Sequence, residues 1–423
     1  MVKRMSENKE FKETDIGCVP RDWDLCNFGE NSKIKARIGW QGLTTKEYKN
    51  SGDYFLITGT DFENNNIKWE TCHYVDKFRY DQDVNIQIKD NDILITKDGT
   101  IGKVAFVDKM TKPATLNSGV FVIRPINSCY EPKFLFYVLK SFYFDKFLKQ
   151  LTAGSTINHL YQKDIVKFNF VSPSIDEQKA IATALSDMDD LILSLEKLIS
   201  KKKLIKEGAM QELLYGKKRL DGFSGNWSLK SVGELCEVKG GKRLPKGYTL
   251  EDNKNNHPYI RVSDMYMGGI SEVGIKYVPI EIAKIIDNYK ISKDDLFISV
   301  AGTLGIIGRI PESLDGANLT ENANKLCNIK CNKVFLMYAL QSDRIQKTIS
   351  GISTIGAQPK LALTKIKDFK ICLPDMIEEQ EAIAKILSDM DNEIEILGKK
   401  LDKYKNIKDG MMEELLTGKR RLV

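Results

Sequence analysis

Residues 178–190 read QKAIATALSDMDD, and residues 380–392 read QEAIAKILSDMDN. The second stretch restates the first about two hundred residues later, and each opens a long charged segment with apolar residues at helical spacing. The match continues downstream at the same offset. Lys206, Gly208, Met210, Glu212, Leu213, Leu214, Gly216, Lys217 and Arg219 answer to Lys408, Gly410, Met412, Glu414, Leu415, Leu416, Gly418, Lys419 and Arg421. One spacing held over that length marks an internal duplication. The period is far above that of solenoid repeats, so each repeat is a whole domain plus a helix.

The helical segments carry a coiled-coil signature. Ile181, Leu185, Met188, Ile192, Leu195 and Ile199 recur by alternate steps of four and three, which is a heptad seam. The register falters at Lys202 and Lys206, where Leu204 and Ile205 are expected to take over before Leu213. In the second copy Ile383, Leu387, Met390, Ile394, Leu397, Leu401, Tyr404, Met411 and Leu415 hold the heptad, interrupted by Lys408. Gly216 and Gly418 stand where a left-handed C-cap is wanted. The basic clusters after them, at 217–219 and 419–421, read first as solvated residues favourable to the helix dipole. A helix of about thirty-eight residues is roughly 57 Å long. A single exposed rod would leave its apolar stripe wet, so the two helices are expected to pack on each other, in preference to homodimerisation.

Ahead of each helix lies a region of short β-branched and aromatic runs broken by Gly, Asn and Asp, the pattern of a strand-rich domain. The clearest strands are 54–57, 92–96, 103–107 and 120–124, and the spacing over 133–151 predicts a helix. The second region, from about 221 to 374, repeats this outline. Asn226-Trp227 echoes Asp22-Trp23, and the strand running into Gly302-Thr-Leu-Gly305 echoes the one running into Gly99-Thr-Ile-Gly102. Segments 39–79 and 240–289 share little, so a common frame carries different surfaces.

Composition limits the function classes. The 423 residues are 42% hydrophobic and 29% charged, with net charge +6, as in an ordinary globular protein that tolerates a nucleic-acid partner. No apolar run is long enough to span a bilayer, and the basic start lacks the apolar stretch of a cleaved signal, so a cytoplasmic protein is expected. The eight cysteines form no CxxC pair, so free thiols are expected and metal binding is not. No nucleophile elbow, HExxH, dinucleotide-binding glycine motif or Asp/Asn-Pro-Pro-Tyr/Phe stretch is present, and His73, His159 and His257 follow no arrangement repeated between the halves.

Gly99-Thr-Ile-Gly102-Lys103 is too short for a phosphate loop and reads equally as a hairpin turn. Its setting of Lys97, Lys103 and Arg124, with Arg309 in the other half, could meet phosphates. Trp40 and Gln41, flanked by glycines, and Lys242 and Arg243 after Gly240-Gly241 are side chains able to approach a groove; Gln pairs with adenine, Arg or Lys with guanine. Arg261 completes the candidate DNA-binding set, and an ordinary exposed loop is the alternative for each member.

These residues together resemble the specificity (S) subunit of Type I restriction-modification systems. The likeness spans nearly the whole chain. The opening Phe11-Lys-Glu-Thr-Asp-Ile-Gly17 with Val19-Pro20-Arg-Asp22-Trp23 resembles that family's FKxTxIGxIPxDW entry, and Phe223-Ser-Gly225-Asn-Trp227 its entry to the second domain. Gly154 to Thr156 leading to Pro173, and Pro359-Lys360-Leu361 leading to Pro374, resemble its exits into the spacer helices; Asn158-His159-Leu160 departs from the usual Pro-x-Leu.

The resemblance implies an α+β fold. Two similar strand-rich target recognition domains (1–175 and 218–375) are joined by two long antiparallel coiled-coil helices (176–217 and 376–423) in a pseudo-twofold duplication. It further implies sequence-specific binding of double-stranded DNA at a bipartite asymmetric site. By the same likeness no cofactor is bound by this chain. Two methylation subunits use S-adenosylmethionine to methylate adenine, and restriction subunits use ATP. A non-catalytic coiled-coil adaptor, and a self-contained DNA methyltransferase or nuclease, are the readings from other classes.

Overall fold

The computed structural model describes residues 2–4, 11–63, 65–126, 129–152, 159–353 and 360–422. The family-like exit residues 154–156, Asn158 and Pro359 lie outside them. The described residues form an α+β fold in which two strand-rich regions alternate with two long helices, Ile175–Leu213 and Ile377–Leu416. Two compact units result, one of Met1–Glu196 with Lys400–Val423, the other of Lys197–Lys399. Each unit therefore holds one globular region, the start of one long helix and the end of the other.

In the first unit Val104–Phe106, Ile93–Thr96, Val120–Pro125 and Ser32–Ala36 form a four-stranded sheet in that order. Ile93–Thr96 is buried at every position, because both sheet faces are covered. Ile93, Ile95, Phe121 and Ile123 face a core built by helix Pro132–Leu139 and the long helices, whereas Leu94, Val120 and Val122 face Phe55, Ile57 and Leu116 of a second, smaller sheet. The second unit repeats the order with Glu237–Gly240, Ala323–Cys327, Leu296–Ser299 and Ile307–Arg309. In both units the second sheet contains one parallel pair: Ala114–Leu116 with Tyr54–Ile57, and Ala317–Leu319 with Pro258–Ile260. The two segments whose sequences share little are thus built on one backbone plan.

The single helix expected over 133–151 is two, Pro132–Leu139 and Phe142–Thr152. Ser141 causes the break: its hydroxyl donates to the Val138 carbonyl (2.7 Å) and accepts the Tyr143 amide (3.3 Å), ending one helix and starting the next.

The seam residues divide by depth. Ile181, Leu185, Ile383 and Leu387 are fully buried, and they pack into the globular cores; each contributes about 1.5–3 kcal/mol of apolar burial. Leu195 is buried, and Met188, Ile192, Met390, Ile394, Leu397 and Leu401 are half-buried. Within the first unit Lys405 pairs with Glu196 (2.7 Å) and Lys408 with Asp189 (2.5 Å), while in the second Lys202 pairs with Glu393 (2.7 Å) and Lys206 with Asp391 (2.5 Å). As numbers rise along one helix they fall along the other, so the helices are antiparallel. The expected handover to Leu204 and Ile205 does not occur: these are 64% and 46% exposed. The heptad keeps its phase, and a lysine on the inner face reaches a carboxylate of the opposite helix. Tyr137 and Tyr338 hydroxyls donate to the second oxygens of Asp189 (2.8 Å) and Asp391 (2.7 Å).

Gly216 and Gly418 end the helices at φ +65° and +69°; a Cβ on Gly418 would lie 2.3 Å from Pro20 Cγ. The basic clusters beyond are not simply solvated. Arg421 donates to Glu177 (2.7 Å) and to Asp22 (3.0 and 2.8 Å), and Arg219 makes a bidentate pair with Glu379 (2.7 and 2.8 Å). Both glutamates are almost completely buried, at 2% and 0% exposure. Each guanidinium also lies over a tryptophan, Arg421 over Trp23 and Arg219 over Trp227.

Candidate nucleic-acid interface

Strand register determines which candidate residues share a surface. In the first unit Ala36 pairs with Phe121, Thr96 with Val120, and Ile95 with Val104. The segments beginning at Arg37 and Lys97 and the residues just before Val120 therefore emerge at one end of the sheet. That end holds the 39–43 loop, Lys97 and Lys103. The Lys97 amide donates to the Gly119 carbonyl (2.8 Å), and its ammonium lies 5.3 Å from the Phe121 ring centroid; Lys103 is exposed. Gln41 is buried, with no hydrogen-bond partner for its Oε1 among the described residues. The Trp40 side chain lies outside the described residues.

The corresponding end in the second unit carries Lys242 and Arg243. Gly240 pairs with Asn324, and the amides of Gly241 and Lys242 donate to Ala323 (3.0 Å) and Leu319 (2.8 Å) carbonyls. Gly241 is required there, since a Cβ would lie 2.1 Å from the Thr320 carbonyl oxygen. The Lys242 ammonium sits over Tyr289 (5.6 Å), and Arg243, with its side chain 76% exposed, touches Glu321 (3.3 Å).

Three candidates belong elsewhere or are already engaged. Arg124 lies at the opposite end of the sheet, bidentate on Asp92 (2.7 and 2.6 Å) and donating to the Asn85 (3.1 Å) and Gln87 (2.6 Å) carbonyls. Four hydrogen bonds commit its guanidinium to the fold, and the expected phosphate role does not suit it. Arg309 is exposed, also at that far end, opposite Leu296. Arg261 grips Asp264 (3.0 and 2.6 Å) and the Gly274 carbonyl (2.9 Å).

The Gly-Thr-x-Gly turns are hydroxyl-closed hairpins. Gly102 and Lys103 amides donate to the Thr96 carbonyl and hydroxyl (both 2.9 Å); Gly305 and Ile306 amides donate likewise to Ser299 (2.9 and 2.8 Å). Those donors face inward and are satisfied, so they form no anion cradle.

Sequence reasoning missed Arg37, which is buried and donates to the Leu116 carbonyl (2.8 Å) and the Thr115 hydroxyl (3.1 Å). It also missed the exposed apolar residues beside each loop. Arg37 reaches the Arg79 carbonyl of the short helix bearing exposed Phe78. Leu244 packs on the segment bearing exposed Ile280 and Ile285. Among the described residues no group of three potential metal ligands occurs, and no helix is long and apolar enough to cross a membrane. Burial pushes the Cys26, Cys72 and Cys236 thiols up to about 12.

A family model for the Type I restriction modification DNA specificity domain matches residues 20–206 and again 224–406. The Type I restriction enzyme MjaVIII specificity subunit of Methanocaldococcus jannaschii is 25% identical over all of this chain and 98% of its own length. The Type I restriction enzyme EcoBI specificity subunit of Escherichia coli is 22% identical over 70% of this chain and 66% of its own. Among solved structures, a Type I restriction-modification S subunit from M. genitalium aligns over 98% of this chain and 99% of its own, with TM-score 0.62 and 21% identity. A chain from a structural study of Type I complex assembly and conformational transition aligns over 95% and 99%, with TM-score 0.54 and 17% identity.

Proposed function

The chain belongs to the Type I restriction modification DNA specificity family, carrying its domain twice, and from that premise we propose how this specificity subunit divides its work. Each globular region reads one half of a split, asymmetric DNA site through the loops at the free end of its main sheet. The chain performs no chemistry and binds no cofactor. Two methylation subunits bring S-adenosylmethionine and modify adenine, and restriction subunits bring ATP.

One observation carries this reading. Two units with the same main-sheet strand order, the same helix clamps and one matching lysine–aspartate pair between the helices present different residues at one matched sheet end: Lys97 and Lys103 in one, Lys242 and Arg243 in the other. A shared scaffold with unlike edges suits two unlike base sequences, because cations and glycine-flanked polar groups at loop tips can reach phosphates and base edges. Purification of the chain with its methylation subunit, followed by sequencing of modified adenines, tests it. Two different short motifs separated by a fixed gap are expected, and a contiguous palindrome overturns the reading. Calorimetric titration of the chain alone with S-adenosylmethionine is expected to give no binding; saturable heat would favour a self-contained methyltransferase.

A further inference from the structure

The two sheet ends are built alike but carry different charge at one matched place. In each unit the chain returning towards the long helix is tied to the end of a central strand. The Leu160 amide donates to the Lys97 carbonyl (2.8 Å), and the Leu361 amide donates to the Val300 carbonyl (2.9 Å). Asp98 and His159 are thereby brought side by side in the first unit, where the second has Ala301 and Lys360.

The His159 Nδ1 donates to one carboxylate oxygen, Oδ1, of Asp98. On the other flank stands Gly119, which accepts the Lys97 amide as Asn322 accepts that of Val300; a Cβ on Gly119 would lie 3.6 Å from Asp98 Oδ2. That second oxygen has no hydrogen-bond partner among the described residues, and the Asp98 side chain is 44% exposed. An imidazole therefore holds the carboxylate in one orientation, and a bare glycine leaves its free oxygen open. A pair serving only the fold would be wanted in both halves, since the backbone it would hold is the same in both.

A carboxylate facing duplex DNA is repelled by the phosphates, so it suits such a surface only where a base offers it a donor. In the major groove the donors are the amino groups at cytosine N4 and adenine N6. Adenine sets its N7 acceptor beside the amino group and repels a second oxygen, whereas cytosine presents the donor alone.

We propose that Asp98, oriented by His159, reads a cytosine in the half-site of the first unit through its N4 amino group, a requirement that the second unit does not make. This rests on the reading above that these sheet ends face DNA, and it assigns one base to one residue. Asp98 is the contacting residue and His159 a positioning residue.

The test uses the full chain co-expressed with its methylation subunit in a host without other adenine methylation, and sequences the modified adenines. Asp98→Ala is expected to relax one cytosine position in one of the two half-sites, with discrimination there falling by roughly fivefold or more, and to leave the other half-site unchanged. Asp98→Asn, which keeps the shape and adds a donor, is expected to admit adenine at that position, because an amide pairs with adenine N6 and N7. His159→Ala should relax the same position and no other, a readout that a general loss of fold would not give. An unchanged motif in both Asp98 variants, or relaxation at a base other than cytosine, would overturn the inference and leave the function standing. Uniformly weaker methylation with the motif intact would make Asp98 a support of the fold and overturn it too. A contiguous palindrome from the unaltered chain would overturn both.

Discussion

Glu177 and Glu379 carry carboxylates where almost no water reaches them, and one arginine answers each. Removing one member of a buried pair strands the other, so Arg421→Ala should destabilise the first unit, and Arg219→Ala the second, by about 3–5 kcal/mol each. Denaturant unfolding, followed by hydrogen exchange in each unit separately, measures it. Lysine should not restore either site fully, since the bidentate geometry is lost. Lys140 offers a pH signature. Burial, and then the charge of Lys408 against the pull of Asp189, lowers its ammonium from 10.5 to about 8. A lysine depressed in the fold binds its proton more tightly when unfolded. Its charged form therefore destabilises the fold fully below about pH 8, and stability rises from there towards 10.5. Lys140→Gln, which copies Gln341 at the matching position, should raise stability at pH 7 and flatten that rise in a pH series of unfolding midpoints. Little of this residue chemistry was legible in the sequence. The clusters ending at Arg219 and Arg421 look like solvated caps until partners 160 and 244 residues away are brought to them. Arg124 looks like a free cation until Asp92 is placed beside it. For Arg261 a local signal existed, because Asp264 three residues on forms a capping pair across one turn.

The long helices were the most legible elements, because a heptad over nearly forty residues leaves no strand alternative. Their phase was misread at Lys206. A lysine in an apolar seam looks like a fault in the repeat when Asp391 on the opposite helix is out of sight. A double-mutant cycle on Lys206 and Asp391 should give a coupling of about 0.5–3 kcal/mol, with a similar value for Lys408 and Asp189. A coupling of zero would return these pairs to surface decoration. The turn motif had two readings in the sequence, and the hydroxyl decides between them. Thr96→Val and Ser299→Ala should each cost about 1–3 kcal/mol in denaturant melts, because the amides of Lys103 and Ile306 lose an acceptor. Were the turn a phosphate cradle, DNA affinity would fall and stability would hold. The break at Ser141 escaped the periodicity because apolar spacing continues smoothly across it.

At the scale of the whole chain the duplication fixes the architecture, and the reading proposed above assigns recognition to the unlike sheet ends. Lys242→Ala and Arg243→Ala should each reduce the slope of log affinity against log salt by about 1 where they meet phosphate, and Arg124→Ala should not change it. Filter binding of the full assembly across a salt series separates the two outcomes. The sequence disclosed this plan through its repeat, but not which loop tips share an edge, since that depends on strand register. The helix clamp also has a consequence for the order in which the protein is made. Glu177 leaves the ribosome 244 residues before Arg421, a delay of roughly 12–50 s at ~5–20 residues per second. For that interval the first unit exists as an unfinished half. Arg219, already synthesised and chemically the same, is the nearest surrogate for the missing guanidinium. Folding on the ribosome must therefore reject a stand-in that the gene's own duplication supplies, and the earliest-made unit is the last to be completed.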